Sequence, residues 1–308
     1  MRKISFSCVL FVLCVLAIPF QAAADDYIRG DVNEDGNVSI SDVADLIDYL
    51  LNGQWTDNDQ QIETETFTVN GVSFTMVKVI GGTFMMGGTE EQGEDAFDWE
   101  YPVHQVTLDN YYIAQLEVTQ ELWYAVMGNN PSYFKNRMKC PVEQVSWNDC
   151  QSFVAQLNVL TGMHFRLPTE AEWEFAARGG NLSKGYKYAG SDSIDEVAWY
   201  WPNLPSHNLA NEGYGTQPVG TKKPNELGLY DMSGNVFEWC QDYYDIYSSE
   251  SQLNPVGPAT GTNHLDRGGG WDQRYQARYC RVSYRSEGLE SSSYWNGRGL
   301  RLAMSCEE

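Results

Sequence analysis

Apolar and polar residues alternate from Phe67 to Val69 and again from Val72 to Phe74, with Asn70-Gly71 between them. That pattern predicts two antiparallel strands joined by a two-residue turn, because Asn and Gly tolerate the left-handed backbone such turns require. The run from Val77 to Phe84 predicts a further strand, and Val106 and Leu108 resume the alternation after a stretch from Glu90 to Glu100 that reads as a solvated acidic loop. Helical spacing takes over downstream. Thr119 opens one helix that ends near Gly128. Ser146 with Asp149 opens a second, which places Phe153, Leu157 and Leu160 on a buried face and stops at Gly162. Thr169 with Glu172 boxes a third that stops at Gly179, with Trp173 and Phe175 expected in the core. From Gly180 to Pro224 periodicity fades into Gly-, Asn-, Tyr- and Trp-rich chain, expected as long structured loops.

Near the N-terminus the pattern changes character. Arg2 and Lys3, an apolar run from Val9 to Phe20 and the small residues Ala22-Ala23-Ala24 predict an export signal over 1–24, too short to remain as a membrane span. Residues Asp31 to Asp42 then set Asp31, Asn33, Asp35, the Asn37 carbonyl, Ser39 and Asp42 at positions 1, 3, 5, 7, 9 and 12 of a calcium loop, with Gly36 at the sharp turn. Calcium accepts six to eight oxygens, main-chain carbonyls included, so this spacing predicts a Ca²⁺ site. Ser39 and Asp42 cap an exit helix whose Val43, Leu46, Ile47, Leu50 and Leu51 share one face, ended by Gly53. A polar, acidic linker, residues 55–65, separates this unit (27–54) from a main domain expected over 66–306.

Composition narrows the setting. With 42% apolar and 13% aromatic residues in 308, a large core is available. The formal charge of −22 becomes −24 once Arg2 and Lys3 leave with the signal, a chain that repels nucleic acid and anionic membrane surfaces. Cys140, Cys150, Cys240, Cys280 and Cys306 remain, an odd number whose pairing spacing cannot reveal.

Candidate chemistry concentrates between Gly228 and Trp239, where Gly228 and Gly234 break an aromatic-rich run and Asp231, Asn235 and Glu238 supply side-chain oxygens. Those groups read either as turn caps or as hard-cation ligands. Toward the C-terminus Arg267, Arg274, Arg278, Arg281, Arg285, Arg298 and Arg301 interleave with Tyr275, Tyr279, Tyr284, Tyr294 and Trp295. Arg274, Tyr275, Arg278, Tyr279, Arg281, Tyr294 and Trp295 are the candidate ligand surface, since arginine forks grip carboxylate or sulfate and aromatic faces stack on sugar rings or protein anchors. The opposing reading pairs the arginines with the domain's own acids. His104, His164, His207 and His264 are dispersed without metal-ligand spacing, and neither a nucleophile elbow nor a phosphate loop occurs. The Gly268-Gly269-Gly270 run reads as a tight turn.

Taken in order, Gly81-Gly82-Thr83-Phe84-Met85-Met86-Gly87, Pro141-Val142-Glu143-Gln144-Val145-Ser146-Trp147, Arg166-Leu167-Pro168-Thr169-Glu170-Ala171-Glu172-Trp173, the Gly228–Trp239 stretch, Arg267-Gly268-Gly269-Gly270-Trp271 and Gly299-Leu300-Arg301 resemble the formylglycine-generating enzyme (sulfatase-modifying factor) family. The resemblance implies a mixed α/β, loop-rich, C-type-lectin-like fold, preceded here by a small loop-helix calcium unit. It also implies Ca²⁺ held by the Asp231 and Glu238 side chains with the carbonyls of Gly234 and Val236. The family's enzymes oxidise a sulfatase cysteine to formylglycine with O₂ and a copper ion gripped by two cysteines five residues apart. The matching positions here are nearest Gln273 and Arg278, so no copper is expected and no catalytic residue is assigned. The isolated thiol of Cys280 reads as a small buried apolar group.

The N-terminal unit resembles one dockerin repeat where dockerins carry two. It implies a cohesin-like or other protein partner and a setting in polysaccharide utilisation. Two classes remain: an exported binding module with a glycan or protein ligand at its C-terminal surface, or an oxidoreductase or protein-modifying enzyme whose site is unassigned.

Overall fold

The structure is a computed structural model that describes residues 62–272, 277–286 and 289–306. The expected signal, the calcium loop at Asp31, Asn33, Asp35, Asn37 and Asp42, and the candidate ligand residues Arg274 and Tyr275 lie outside the described residues. The chain divides into two units at residue 61, and the described residues all belong to the second.

The hairpin forms as its pattern predicts. Strands β1 (Thr64–Val69) and β2 (Val72–Val79) pair antiparallel with Val69 opposite Val72, and the turn residues Asn70 and Gly71 take φ of 48° and 85°. β1 begins inside the stretch expected as linker. The single strand expected from Val77 to Phe84 is instead two, β2 and β3 (Thr83–Met86). The break falls at Gly81-Gly82, where the chain crosses so close to its neighbour that a Cβ on Gly81 would sit 2.2 Å from the Leu108 carbonyl oxygen.

Beyond them come β4 (His104–Thr107), β5 (Tyr111–Ala114), α1 (Gln120–Met127), α2 (Trp147–Thr161), β6 (Phe165–Arg166), α3 (Glu170–Ala177) and the short α4 (Ile194–Val197). The chain continues through β7 (Phe237–Tyr243), β8 (Gln252–Leu253), β9 (Asn263–Arg267), β10 (Leu289–Glu290), β11 (Arg298–Gly299) and β12 (Ala303–Ser305). Three sheets result, ordered β1-β2-β5-β12-β6, β10-β9-β7-β11 and β3-β4-β8. β12, from the end of the chain, inserts antiparallel between β5 and β6, so the first sheet is complete only when both ends of the domain meet.

All three helices start at their anticipated caps: Thr119, Ser146 and Thr169 each accept a backbone N–H through their side-chain oxygen, the last two in capping boxes. Gly128 and Gly162 end α1 and α2 in left-handed conformation. On α2, Cys150, Phe153, Val154 and Leu157 are buried, whereas Leu160, expected with them, is 42% exposed near the helix end.

The first sheet is covered on both faces. Met76 packs with Trp123, Phe153, Leu157, Phe165 and Trp239, while its neighbours Val77 and Val79 face the opposite way, toward Ile113, Trp173, Phe175 and Leu265. α3 belongs to that second core and is buried along its entire length, its three glutamates included. Ionised glutamates deprived of water must be met by cations or strong donors. Where those come from determines the rest of the structure.

Candidate functional site

Most of the cations come from the C-terminal arginines, across long sequence separations, and two come from Arg166 and Arg178 beside α3. Arg285 grips Glu170 with Nε to Oε1 at 2.6 Å and NH2 to Oε2 at 2.7 Å. Arg267 reaches Glu174 at 2.6 Å, and Arg178 shares the same carboxylate. Arg281 holds Glu100 with contacts of 2.5 and 2.9 Å, joined by Ser283. Arg298 pairs with Asp266, Arg166 with Glu172, and Arg301 with Glu238. Two readings are thereby corrected. Arg281, expected on a ligand surface, is fully buried against Glu100. The Glu90–Glu100 stretch is not simply solvated, because its last residue is the buried partner of that arginine and Gln92 is buried beside it.

Ten carboxylates are buried among the described residues: Glu100, Glu117, Glu143, Glu170, Glu172, Glu174, Asp231, Glu238, Asp242 and Asp266. Six meet an arginine within ion-pair distance; Glu117, Glu143, Asp231 and Asp242 meet none among the described residues. The electrostatics track that division. Burial alone would raise Glu170, yet Arg285 and Arg267 hold its carboxyl below the usual range. Desolvation pushes the four others up, Asp231 to about 6, Glu143 to about 7, Asp242 to about 8, and Glu117 well above its ordinary value with the charges of Asp231 and Glu238 adding to the effect.

The Gly228–Trp239 stretch gathers three of these acids. Gly234 (φ 82°) lies against the chain at Trp199, where a Cβ would meet the Trp199 carbonyl oxygen at 2.5 Å, and Asp231 and Asn235 also adopt positive φ. Asn235 Nδ2 donates to Glu117 at 2.7 Å and its oxygen accepts from Gln217 N, while Val236 N donates to the other Glu117 oxygen. Arg301 donates to both Glu238 oxygens and also to the carbonyls of Ala114 and Tyr230. Trp173 Nε1 adds a 2.6 Å bond to Glu238 Oε2. Asp231 Oδ2 accepts from Gly220 N, but its buried Oδ1 has no partner.

One guanidinium therefore faces three carboxylates. An orphaned anionic oxygen in such a setting is what a hard divalent cation takes. Of the four ligands the family resemblance implies, the Asp231 end is open in this way; the Glu238 carboxylate is already held by Arg301 and Trp173.

The remaining candidate surface is aromatic. Tyr279 stacks on Phe97 at 5.7 Å between ring centroids, Phe97 on Trp99 at 4.5 Å, and Tyr284 closes edge-on against Tyr279 at 4.9 Å. The Arg278 guanidinium lies 4.2 Å from the Phe97 centroid. Trp295 sits by Phe237, and Tyr294 is 64% exposed. Sequence reasoning missed Phe97 and Trp99, whose only signal is two aromatics inside an acidic loop. Cys280, fully buried with its thiol pushed up to about 12 by desolvation, packs with Tyr188, Val197 and Tyr200 as a small apolar group. All five described cysteines are free thiols, and no described helix is long and apolar enough to cross a membrane.

Known proteins are similar to this chain in sequence and fold. The sulfatase-modifying factor enzyme 1-like domain matches residues 63–306, and the dockerin type I domain matches residues 29–71, the latter running into β1 and its turn. The chain is 33% identical to chaperone protein LppX of Paenibacillus barcinonensis, over 76% of this chain and 90% of that protein. It is 31% identical to the formylglycine-generating enzyme of Thermomonospora curvata, over 71% and 89%. Among solved structures, Treponema denticola variable protein 1 shares the fold with a TM-score of 0.68 and 31% identity, over 79% of this chain and 99% of that one. PvdO from Pseudomonas aeruginosa, at 23% identity and a TM-score of 0.61 over 79% and 98%, shares the fold.

Proposed function

Because the chain belongs to the sulfatase-modifying factor enzyme 1-like family, with a dockerin type I segment ahead of that domain, we propose that it is an exported, calcium-binding, non-catalytic member that binds a glycan or protein ligand. One observation carries the reading: Arg278 stands where the family resemblance puts a copper-ligating cysteine, and its guanidinium lies over Phe97 in an aromatic cluster. An always-charged guanidinium cannot serve a soft cuprous ion as a thiolate does, but it suits a face that recognises rings and anions. Support of a second kind comes from names: one relative is called a chaperone and one structural neighbour a variable protein. Copper(I) titration with O₂ uptake on a cysteine-containing sulfatase peptide tests this. We expect no tight copper binding and no O₂ consumption above that of the peptide alone; turnover would establish a formylglycine-generating oxidoreductase instead.

Calcium enters this reading at two places, the dockerin segment, a domain type that binds calcium and takes cohesin partners, and the main domain at Asp231, Gly234, Val236 and Glu238. The unpartnered Asp231 oxygen and the surplus of buried negative charge around it support the second site. A ligand bound only by the folded form stabilises it by mass action. Chelation is therefore expected to lower the melting temperature of the main domain. The calcium-dependent part of that shift should vanish in Asp231→Ala and persist in Asp31→Ala. Equal shifts in both variants would remove the main-domain site.

A further inference from the structure

Of the four buried carboxylates without an arginine, Asp242 lines a cavity of about 470 Å³, away from the aromatic face and from the Asp231 cluster, whereas the pocket at Glu117 holds only about 60 Å³. The floor is charged. Asp242 is 5% exposed, and its Oδ2 accepts from the Glu170 backbone N–H. Glu170 beside it is committed to Arg285, Arg267 and the Tyr247 hydroxyl, so it has nothing left for a ligand. The rim is aliphatic and wet: Ile246 is 79% exposed, Leu253 69% and Val256 66%, three of the most exposed large apolar side chains among the described residues, all around one opening.

We propose that this cavity is a docking site for a lysine or arginine side chain carried on an apolar segment of a polypeptide partner. Everywhere else along α3 and the C-terminal strands the protein meets a buried acid with a guanidinium of its own. At Asp242 no guanidinium comes within ion-pair distance, since Arg285, which lines the same cavity, spends its donors on Glu170 and the Asp245 carbonyl, and the gap opens outward. The raised affinity of Asp242 for its proton is the electrostatic mark of the same deficit of positive charge. A metal ion is not the occupant, because the carboxylates beside Asp242, those of Glu170 and Glu172, are already committed to arginines. The cavity's tyrosines are not open plates for a sugar, since Tyr243 stacks on His264 and Tyr247 is met by Arg285 and His104, and the aliphatic rim favours a long alkyl stem with apolar neighbours. A basic side chain can bury that stem against Val256 and Leu253 while its head reaches Asp242, and a carboxylate–guanidinium contact shielded from water is strong.

The full chain would be titrated by calorimetry at pH 8.5 with a capped pentapeptide bearing one arginine between leucine and isoleucine, glycine at each end, and with its citrulline analogue. Citrulline keeps the shape and removes the charge. We expect the citrulline peptide to bind at least tenfold more weakly. Asp242→Asn should weaken the arginine peptide by a similar factor, and Val256→Ser, an exposed change that leaves the fold alone, by about threefold to tenfold. Tyr279→Ala, in the aromatic face, should leave binding unchanged, which separates this site from the proposed glycan- or protein-binding face. Equal binding of the two peptides, an unaffected Val256→Ser, or agmatine binding as tightly as the peptide would each overturn the proposal.

Discussion

Replacing Arg301 by methionine is expected to destabilise the main domain by about 3–5 kcal/mol, the range for removing one partner of a buried pair. Arg301 is fully buried and donates to both oxygens of Glu238 and to two carbonyls from separate parts of the chain. Its loss strands Glu238 beside Glu117 and Asp231, leaving three carboxylates and no guanidinium among them. A natural domain is stable by only about 5–15 kcal/mol, so the variant should be partly unfolded near body temperature. Urea denaturation followed by tryptophan fluorescence measures the effect. Adding Glu238→Gln to Arg301→Met should recover part of the loss, since removing both charges abolishes the uncompensated one. Lys139→Met is the control, because its pair with Glu121 is solvent-exposed and worth about 0–1 kcal/mol. Equal destabilisation by Lys139→Met and Arg301→Met would show that the buried cluster does not carry the stability assigned to it.

Stability should also fall as pH rises from 5 to 9, and Asp242→Asn should remove much of the slope. The groups facing Asp242 are Glu170 and Glu172 on α3, Arg285, His104 on β4, Asp245 and, through the main-chain carbonyl, His264. Desolvation first and then the Glu170 charge raise Asp242 from 3.8 to about 8. An acid raised on folding costs nothing below its unfolded pKa, where both states are protonated, and its penalty grows until pH passes the folded value. At about 1.4 kcal/mol per pKa unit the full penalty is on the order of 5 kcal/mol. Glu143, raised to about 7, adds to the slope in the same direction. The asparagine variant is thus expected to match the parent near pH 4 and exceed it above pH 8 in urea midpoint. Parallel profiles for the two proteins would contradict the assignment. The chain's overall charge of −22 also disfavours the compact state at high pH, but it affects both proteins alike and drops out of the comparison.

Local features of the fold were legible in the sequence because their causes are local. Thr119, Ser146 and Thr169 cap helices through bonds to residues three positions away, and Asn70-Gly71 supplies the left-handed backbone of its own turn, to which a bond from Asn70 Nδ2 to the Ala125 carbonyl is only added. The split between β2 and β3 was hidden, since it depends on Leu108 crossing Gly81. Hidden too was the fate of the arginines: nothing near Arg281 announces Glu100, 181 residues earlier. Pattern reading placed that glutamate in water, because charge at the surface is the ordinary case, and left that arginine between a binding face and one of the domain's own acids without naming which acid. The two candidates most visible in the sequence, Asp231 and Glu238, do converge, but the arginine that holds Glu238 and the tryptophan beside it come from far along the chain. Asp242 carried no signal at all, as a lone aspartate becomes notable only once its surroundings are known to lack a cation.

Acids and their arginines lie far apart along the chain, and this bears on biosynthesis. Glu100, Glu170 and Glu174 emerge from the ribosome long before Arg267, Arg281 and Arg285, and Glu238 before Arg301. Until Arg267 and the arginines after it are made, Glu100, Glu170 and Glu238 have no arginine partner and Glu174 has only Arg178, and β12 is not there to join β5 to β6. The nascent domain therefore cannot close stepwise from its N-terminus, and its acids keep it hydrated and unfolded while translation continues. Chains terminated early would carry much of the interior's negative charge, that of Glu100, Glu170, Glu238 and Asp266, without its neutralising tail. Such products cannot mimic the native state, so incomplete molecules stay distinguishable from finished ones to any factor that recognises unfolded protein.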